Sequence, residues 1–290
     1  MHRNKPRAPS LRGSNQSIAM ARENYVKVNE IRIRYLESGA RNHDSLLFIH
    51  GLGSSADRWL DIPSALSLYF HTVALDLPGS GLSDKPHPKC KFKYTIQDFA
   101  DFIIQFIDKI KINDARTSLV GHSLGGYIAA QIALQAKGLV DRLVLIDSSG
   151  MLDGPTPLLK EYIAAAERPT YDSVKQVFEQ MVAGPNRIPD LLVNGFIFRI
   201  NMPGALDAFR AAYENSVNTQ IGKKRLEQIR NETLIIWGRR DNLIPLEYCE
   251  IFGETIKNSK QIIVEDAGHA PFAEKPAVVC ELLHRFFGNG

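Results

Sequence analysis

"LVGHSLGGYIAA" (Leu119–Ala130) places a serine at the junction of two apolar segments. Upstream, "TSLVG" (Thr117–Gly121) reads as a strand. Downstream, "LGGYIAAQIALQAKG" (Leu124–Gly138) reads as a helix stopped at Gly138. Gly121, Gly125 and Gly126 are small enough to let the strand and the helix approach closely. A G-x-S-x-G run between a strand and a helix is the setting of a nucleophile elbow, a strained turn that lifts the serine hydroxyl above a sheet. The plainer alternative is a packing serine in a tight loop; the strand–turn–helix setting favours the elbow.

The flanking sequence supplies the sheet. "YVKVNEIRIRYLES" (Tyr25–Ser38) alternates apolar and polar residues about a turn at Asn29–Glu30 and predicts a hairpin. "SLLFIH" (Ser45–His50) is continuously apolar and ends in "GLGSS", as expected of a strand buried on both faces of a parallel sheet. "HTVALDLPGSG" repeats that pattern, with a strand to Leu75. "TIQDFADFIIQFIDKI" carries Ile96, Phe99, Ile103, Phe106 and Ile110 at helical spacing, opened by Thr95 and Asp98 as a capping box. "DRLVLIDSSG", "TLIIWG" and "KQIIVED" are further strands, with helices expected from Pro245 and after Pro276. Strand and helix alternating over most of the chain predict an α/β fold with a mostly parallel sheet flanked by helices. From Met151 to about Gly222 the strand signal stops. Four apolar-faced segments separated by Pro and Gly predict an inserted helical cap. The expected organisation is a disordered basic tail at 1–22, a core at 23–150 and 223–290, and a cap at 151–222.

A serine hydroxyl is a weak nucleophile until a base takes its proton. His269, in "EDAGHAPFAEKP", follows the last predicted strand and so stands at the carboxyl edge of the sheet with Ser123. A base of this kind needs an acid to hold its tautomer. Asp241, in "WGRRDNLIP", lies just past "TLIIWG" at the same edge. The order Ser123, Asp241, His269 is that of the nucleophile-elbow enzymes. Asp147, at the end of the strand after the serine helix, is the strongest rival acid. Asp76 is expected to cap its own glycine turn and His50 to shape the loop after it. His122 adjoins the serine, but the turn is expected to point its ring elsewhere. Two amides are needed for a developing oxyanion. Leu124 N–H, at a helix start, and Leu52 N–H, in "HGLGSS", are the candidates.

The 290 residues are 44% hydrophobic and 23% charged, ordinary for a globular chain. The net charge of +3 is local: residues 1–19 hold Arg3, Lys5, Arg7 and Arg12 with no acid, and without those four the balance is −1. A nearly neutral body argues against nucleic acid or an acidic membrane surface as partner. No apolar run is long enough to span a bilayer. Cys90, Cys249 and Cys280 offer neither a disulfide framework nor metal-ligand spacing, and fit a reducing cytoplasm.

Together, "HGLGSSADRW", "DLPGSGLSD", "GHSLGG", "GRRDNLIP" and "AGHAPFAEKP" resemble the α/β-hydrolase superfamily, in its capped serine esterase-like branch. The resemblance runs from about Glu23 to the C-terminus. It implies an α/β-hydrolase fold and a carboxylesterase-type activity without metal or organic cofactor. Ser123, where haloalkane dehalogenases and epoxide hydrolases of the superfamily carry Asp, disfavours those chemistries. Ala270 and Pro271, where C–C bond hydrolases often place a bulky aromatic, weaken that alternative. A lactonase and a ligand-binding receptor with residual hydrolysis remain the others. The expected substrate is a small, apolar or aromatic ester, under a cap in which Phe178, Met181, Phe198 and Phe209 line the pocket. Phe196 and Tyr213 are further candidates, and the chain is expected to be a monomer or homodimer.

Overall fold

A computed structural model describes residues 21–59, 61–112, 116–184 and 188–288. The tail expected at 1–22 falls mostly outside these residues, though Arg22 already belongs to the first strand. Eight strands form one sheet: β1 (Arg22–Val28), β2 (Ile31–Ser38), β3 (Ser45–Ile49), β4 (His71–Leu75), β5 (Thr117–His122), β6 (Val140–Ile146), β7 (Glu232–Gly238) and β8 (Ser259–Val264). Their order is β1-β2-β4-β3-β5-β6-β7-β8. The β1–β2 hairpin is antiparallel and joins β4 antiparallel, while every pairing from β4 to β8 is parallel. Asn29 and Glu30 both take positive φ, 47° and 67°, at the hairpin turn. That backbone twist matches the right-handed twist of the strands it joins.

Around the sheet lie α1 (Asp61–Leu66), α2 (Ile96–Ile110), α3 (Leu124–Gln135), α8 (Lys223–Leu226), α9 (Glu247–Thr255), α10 (Pro271–Glu274) and α11 (Pro276–Gly288). Between β6 and β7 stand four consecutive helices: α4 (Pro157–Glu167), α5 (Tyr171–Met181), α6 (Asp190–Ile200) and α7 (Ala205–Val217). They occupy the segment in which an inserted helical cap is expected. β3 and β5 are buried at every position. Their side chains alternate between two apolar layers: Leu47, Ile49 and Leu119 belong to one, Leu46, Phe48 and Val120 to the other. Thr95 and Asp98 close the capping box that opens α2.

The strand order positions the site. From β3 the chain steps sideways to β4, then returns to the other side of β3 as β5. The loops leaving β3 and β5 therefore part at their carboxyl ends, where a crevice opens. Ile49 is paired with Gly121, so the segments from Gly51 and from Ser123 start side by side.

Arg34 braces the loop beyond β3. It is 6% exposed and bonds Glu23 at 2.7 Å, Asp57 at 2.9 and 3.0 Å, and Asp76 at 3.3 Å. Asp76, fully buried, also accepts from Ala56 N at 2.7 Å and Leu82 N at 2.8 Å. Asp76 thus caps its own turn, and it also ties that turn to the loop after β3. Removing one partner of a buried pair strands the other charge. Arg34→Met is expected to lower unfolding free energy by about 3–5 kcal/mol, read from urea denaturation. A loss within experimental error would mean that Asp76 is satisfied by backbone amides alone.

Candidate active site

At the end of β5 the chain turns through Ser123 with φ 54° and ψ −119°. A non-glycine residue there costs about 1–3 kcal/mol and persists only where its surroundings over-determine it. They do. Ser123 N donates to Ile146 O at 3.0 Å, and Ser123 O accepts from Gly126, Tyr127 and Ser149 amides at 2.9, 3.2 and 3.1 Å. The flanking glycines are sterically obligatory. A Cβ on Gly121 would lie 2.3 Å from Gly125 O, and one on Gly125 would lie 2.1 Å from Ile49 O.

Ser123, Leu124, Gly51, Leu52 and His269 border one cavity of about 130 Å³. Leu124 is the first residue of α3, so its N–H has no intrahelical acceptor and sits at the positive end of the helix. Among the described residues neither Leu52 N nor Leu124 N donates to any backbone carbonyl. Tyr162 reaches down from α4 and donates its hydroxyl to Leu52 O at 3.0 Å, fixing that peptide.

His269 Nδ1 stands 2.8 Å from Asp241 Oδ2. A carboxylate only accepts, so Nδ1 carries the proton and Nε2 is left with its lone pair. Both residues are 6% exposed. The other Asp241 oxygen accepts from Leu243 and Ile244 amides at 2.8 and 2.9 Å, which locks the carboxylate in plane. Asp147, the rival acid, has no bond to a histidine ring. It is fully buried, accepts from Gly238 N at 2.8 Å through Oδ1, and leaves Oδ2 without a partner. Burial first, and then the neighbouring Asp241 carboxylate, hold its carboxyl well above the usual range. It lies behind the Asp241–His269 pair, in surroundings that favour its neutral form.

His122 does more than the sequence suggested. Its Nε2 donates to His269 O at 2.6 Å, and its ring centroid lies 4.8 Å from that of His269. Burial drives its pKa well below the ordinary histidine value, with His269 adding to the effect, so it is a neutral donor. His269 N in turn donates to Met181 O at 2.7 Å, at the end of α5. A Cβ on Gly268 would lie 2.2 Å from that same carbonyl. Glu274 bridges the two segments, accepting from Gly268 N and Ala183 N at 2.8 Å each. The contacts made by Met181 and Ala183 carry no local sequence signal, because they join residues about ninety positions apart. His50 shapes its loop as expected, donating to Gly51 O at 2.8 Å and accepting from Leu77 N at 3.0 Å.

The cap candidates divide. Phe178, Met181, Phe196 and Tyr213 line the cavity. Phe198 does not: it is 66% exposed. Phe196 faces inward from α6, and a residue two positions on is rotated roughly 200° about the helix axis. Phe209 is buried but does not border this cavity, since it packs behind the lining against Tyr162 and Phe196. No group of three His, Cys, Asp or Glu among the described residues could hold a metal ion. No helix among them is long and apolar enough to cross a membrane.

A family profile described as "alpha/beta hydrolase fold" matches residues 44–276. The chain is similar to a dihydrolipoyllysine-residue acetyltransferase component of an acetoin cleaving system from Cupriavidus necator, 29% identical over 93% of this chain and 70% of that one. Among solved structures it resembles a bacterial membrane phospholipase A (TM-score 0.80, 28% identity, 94% of this chain and 87% of that one). A meta-cleavage product hydrolase from Pseudomonas fluorescens shares the fold (TM-score 0.82, 24% identity, 91% and 97%).

Asp147 generates a pH-dependent expectation. Its folded pKa is raised, so the folded state holds a proton that the unfolded chain has lost. Stability from this group is present below about pH 4, the unfolded value, and declines as pH rises toward the folded value. Asn mimics the neutral acid and has no such decline. The stability of Asp147→Asn relative to wild type should therefore rise between pH 4.5 and 8 in urea titrations. A constant difference would show that Asp147 is ionised in the folded protein.

Proposed function

As the chain belongs to the α/β-hydrolase fold family and is on that ground a hydrolase, we propose that it cleaves carboxylic esters through a Ser123–His269–Asp241 triad. One observation carries the reading. A carboxylate-held imidazole, with Nδ1 2.8 Å from Asp241, borders the same cavity as a serine on a strained turn and two uncommitted amides.

The chemistry follows from those groups. His269 Nε2 takes the Ser123 proton as the hydroxyl oxygen attacks the ester carbonyl. The carbonyl oxygen becomes anionic and is held by the amides of Leu52 and Leu124. Each such donor contributes about 3 kcal/mol to the transition state. Asp241 stabilises the imidazolium without taking its proton. The imidazolium then protonates the leaving alcohol, and the C–O bond breaks to leave an acyl-serine. Water, deprotonated by the same histidine, attacks that acyl group and releases the acid and Ser123. Phe178, Met181, Phe196 and Tyr213 make an apolar roof that suits the hydrocarbon part of an ester and keeps bulk water from the oxyanion.

The test is hydrolysis of p-nitrophenyl esters with acyl chains from acetate to dodecanoate. Wild type is expected to turn over many times and Ser123→Ala to lose that turnover while keeping its fold by circular dichroism. Asp241→Asn should fall roughly 10⁴-fold in kcat, because an amide cannot hold the required tautomer. Folded wild type that cleaves none of the esters would sink the ester reading in favour of a C–C bond, a lactone or a ligand held without turnover.

A further inference from the structure

The cavity lining is mostly apolar, with scattered hydroxyl groups, and it also carries two guanidinium groups that the triad does not use. Arg58, on the short turn Ala56–Trp59 after β3, lines it from the core side. Arg199, on α6, lines it from the cap. Neither forms a salt bridge or a side-chain hydrogen bond with any described residue, although the Arg58 guanidinium lies over the Phe272 ring at 6.0 Å. Arg199 Nε is shielded from solvent and has no partner. The contrast with Arg34 is sharp, since that arginine holds three carboxylates. Asp57 and Asp76, the carboxylates whose fields favour a charge on Arg199, are already bonded to Arg34, and Asp76 to backbone amides as well. Burial lowers the basicity of both Arg58 and Arg199, and the charge of Arg199 lowers that of Arg58 further.

A guanidinium stays charged at any physiological pH. Two part-buried guanidinium groups that face one mostly apolar cavity without a carboxylate partner cost the folded state. Such a cost is offset when an anion arrives between them. The planar fork of arginine matches an oxyacid, with two parallel N–H···O bonds to one group. We propose that Arg58 and Arg199 form an anion subsite beside Ser123, so that the preferred substrates are esters that also carry an oxyacid group, a carboxylate or a phosphate. This rests on the cavity being the ester site. It adds a charged recognition element to a mostly apolar pocket, and the core and the cap each supply one half.

Binding is measured without turnover, in the Ser123→Ala protein, by calorimetry with three probes: monomethyl adipate, hexyl phosphate and the neutral dimethyl adipate. At least one anion is expected to bind tenfold or more tightly than the neutral diester, and the tighter of the two identifies the oxyacid. Arg199→Met and Arg58→Met should each erase most of that preference, and Arg→Lys should restore part of it. Arg199→Met should melt no lower than its parent, because it removes an unpaired charge; a purely structural arginine would give a lower melting temperature. Wild type should likewise favour mono-p-nitrophenyl adipate over p-nitrophenyl hexanoate in kcat/KM. Equal binding of all three probes, or Met variants that weaken all three alike, overturns the subsite. Anion preference without cleavage of any ester overturns the proposed reaction and leaves the subsite standing. Ester cleavage without anion preference does the reverse.

Discussion

The close approach of α3 to β3 and β5 is the constraint on which the site depends. The helix enters so near the sheet that Gly121 and Gly125 have room for no side chain. That wedge forces the single residue at the corner, Ser123, into a conformation L-residues avoid. The same wedge leaves the first amide of α3 without an acceptor, beside the hydroxyl. Strain, a serine bordering the cavity and an unspent N–H are three results of one packing decision.

A second constraint runs between the cap and the histidine loop. Met181 O holds His269 N, Glu274 spans Gly268 N and Ala183 N, and Asn242 donates to Gln180 O at 3.2 Å. The loop bearing the base is thus hydrogen-bonded to the end of a cap helix as well as to the core. His122 closes the loop from the other side through His269 O. The position of the imidazole is set by the cap and the sheet together, so cap substitutions near Met181 act on the base as well as on the pocket wall.

Charge is distributed unevenly around this frame. Arg34 collects the carboxylates that brace the loop after β3, and burial beside Asp241 favours the neutral form of Asp147. Asp241 is left as the carboxylate that faces His269. The surplus is cationic, on Arg58 and Arg199, and it faces the cavity. On the proposed reading, a mostly apolar pocket with guanidinium groups that lack a carboxylate partner would discriminate among esters by what else they carry, which hydrocarbon lining alone does poorly.

Local pattern determined a good part of this protein. Continuous apolar runs at Ser45–Ile49 and Thr117–Gly121 predict strands buried on both faces, and Thr95 with Asp98 predicts the start of α2, because burial and capping are written in neighbouring residues. The glycines around Ser123 likewise announce a tight strand-to-helix turn. Tertiary structure decided what depends on distant segments meeting. It chose which acid, Asp241 or Asp147, touches the His269 ring, since both end neighbouring strands and only the loop path separates them. It turned Phe196 inward and Phe198 outward, because an apolar helix such as "DLLVNGFIFRI" does not state which side meets the core. It turned His122 onto a carbonyl 147 positions away. It also left Arg58 and Arg199 without acids, a fact about where Asp57 and Asp76 had already gone, which no single stretch of sequence contains.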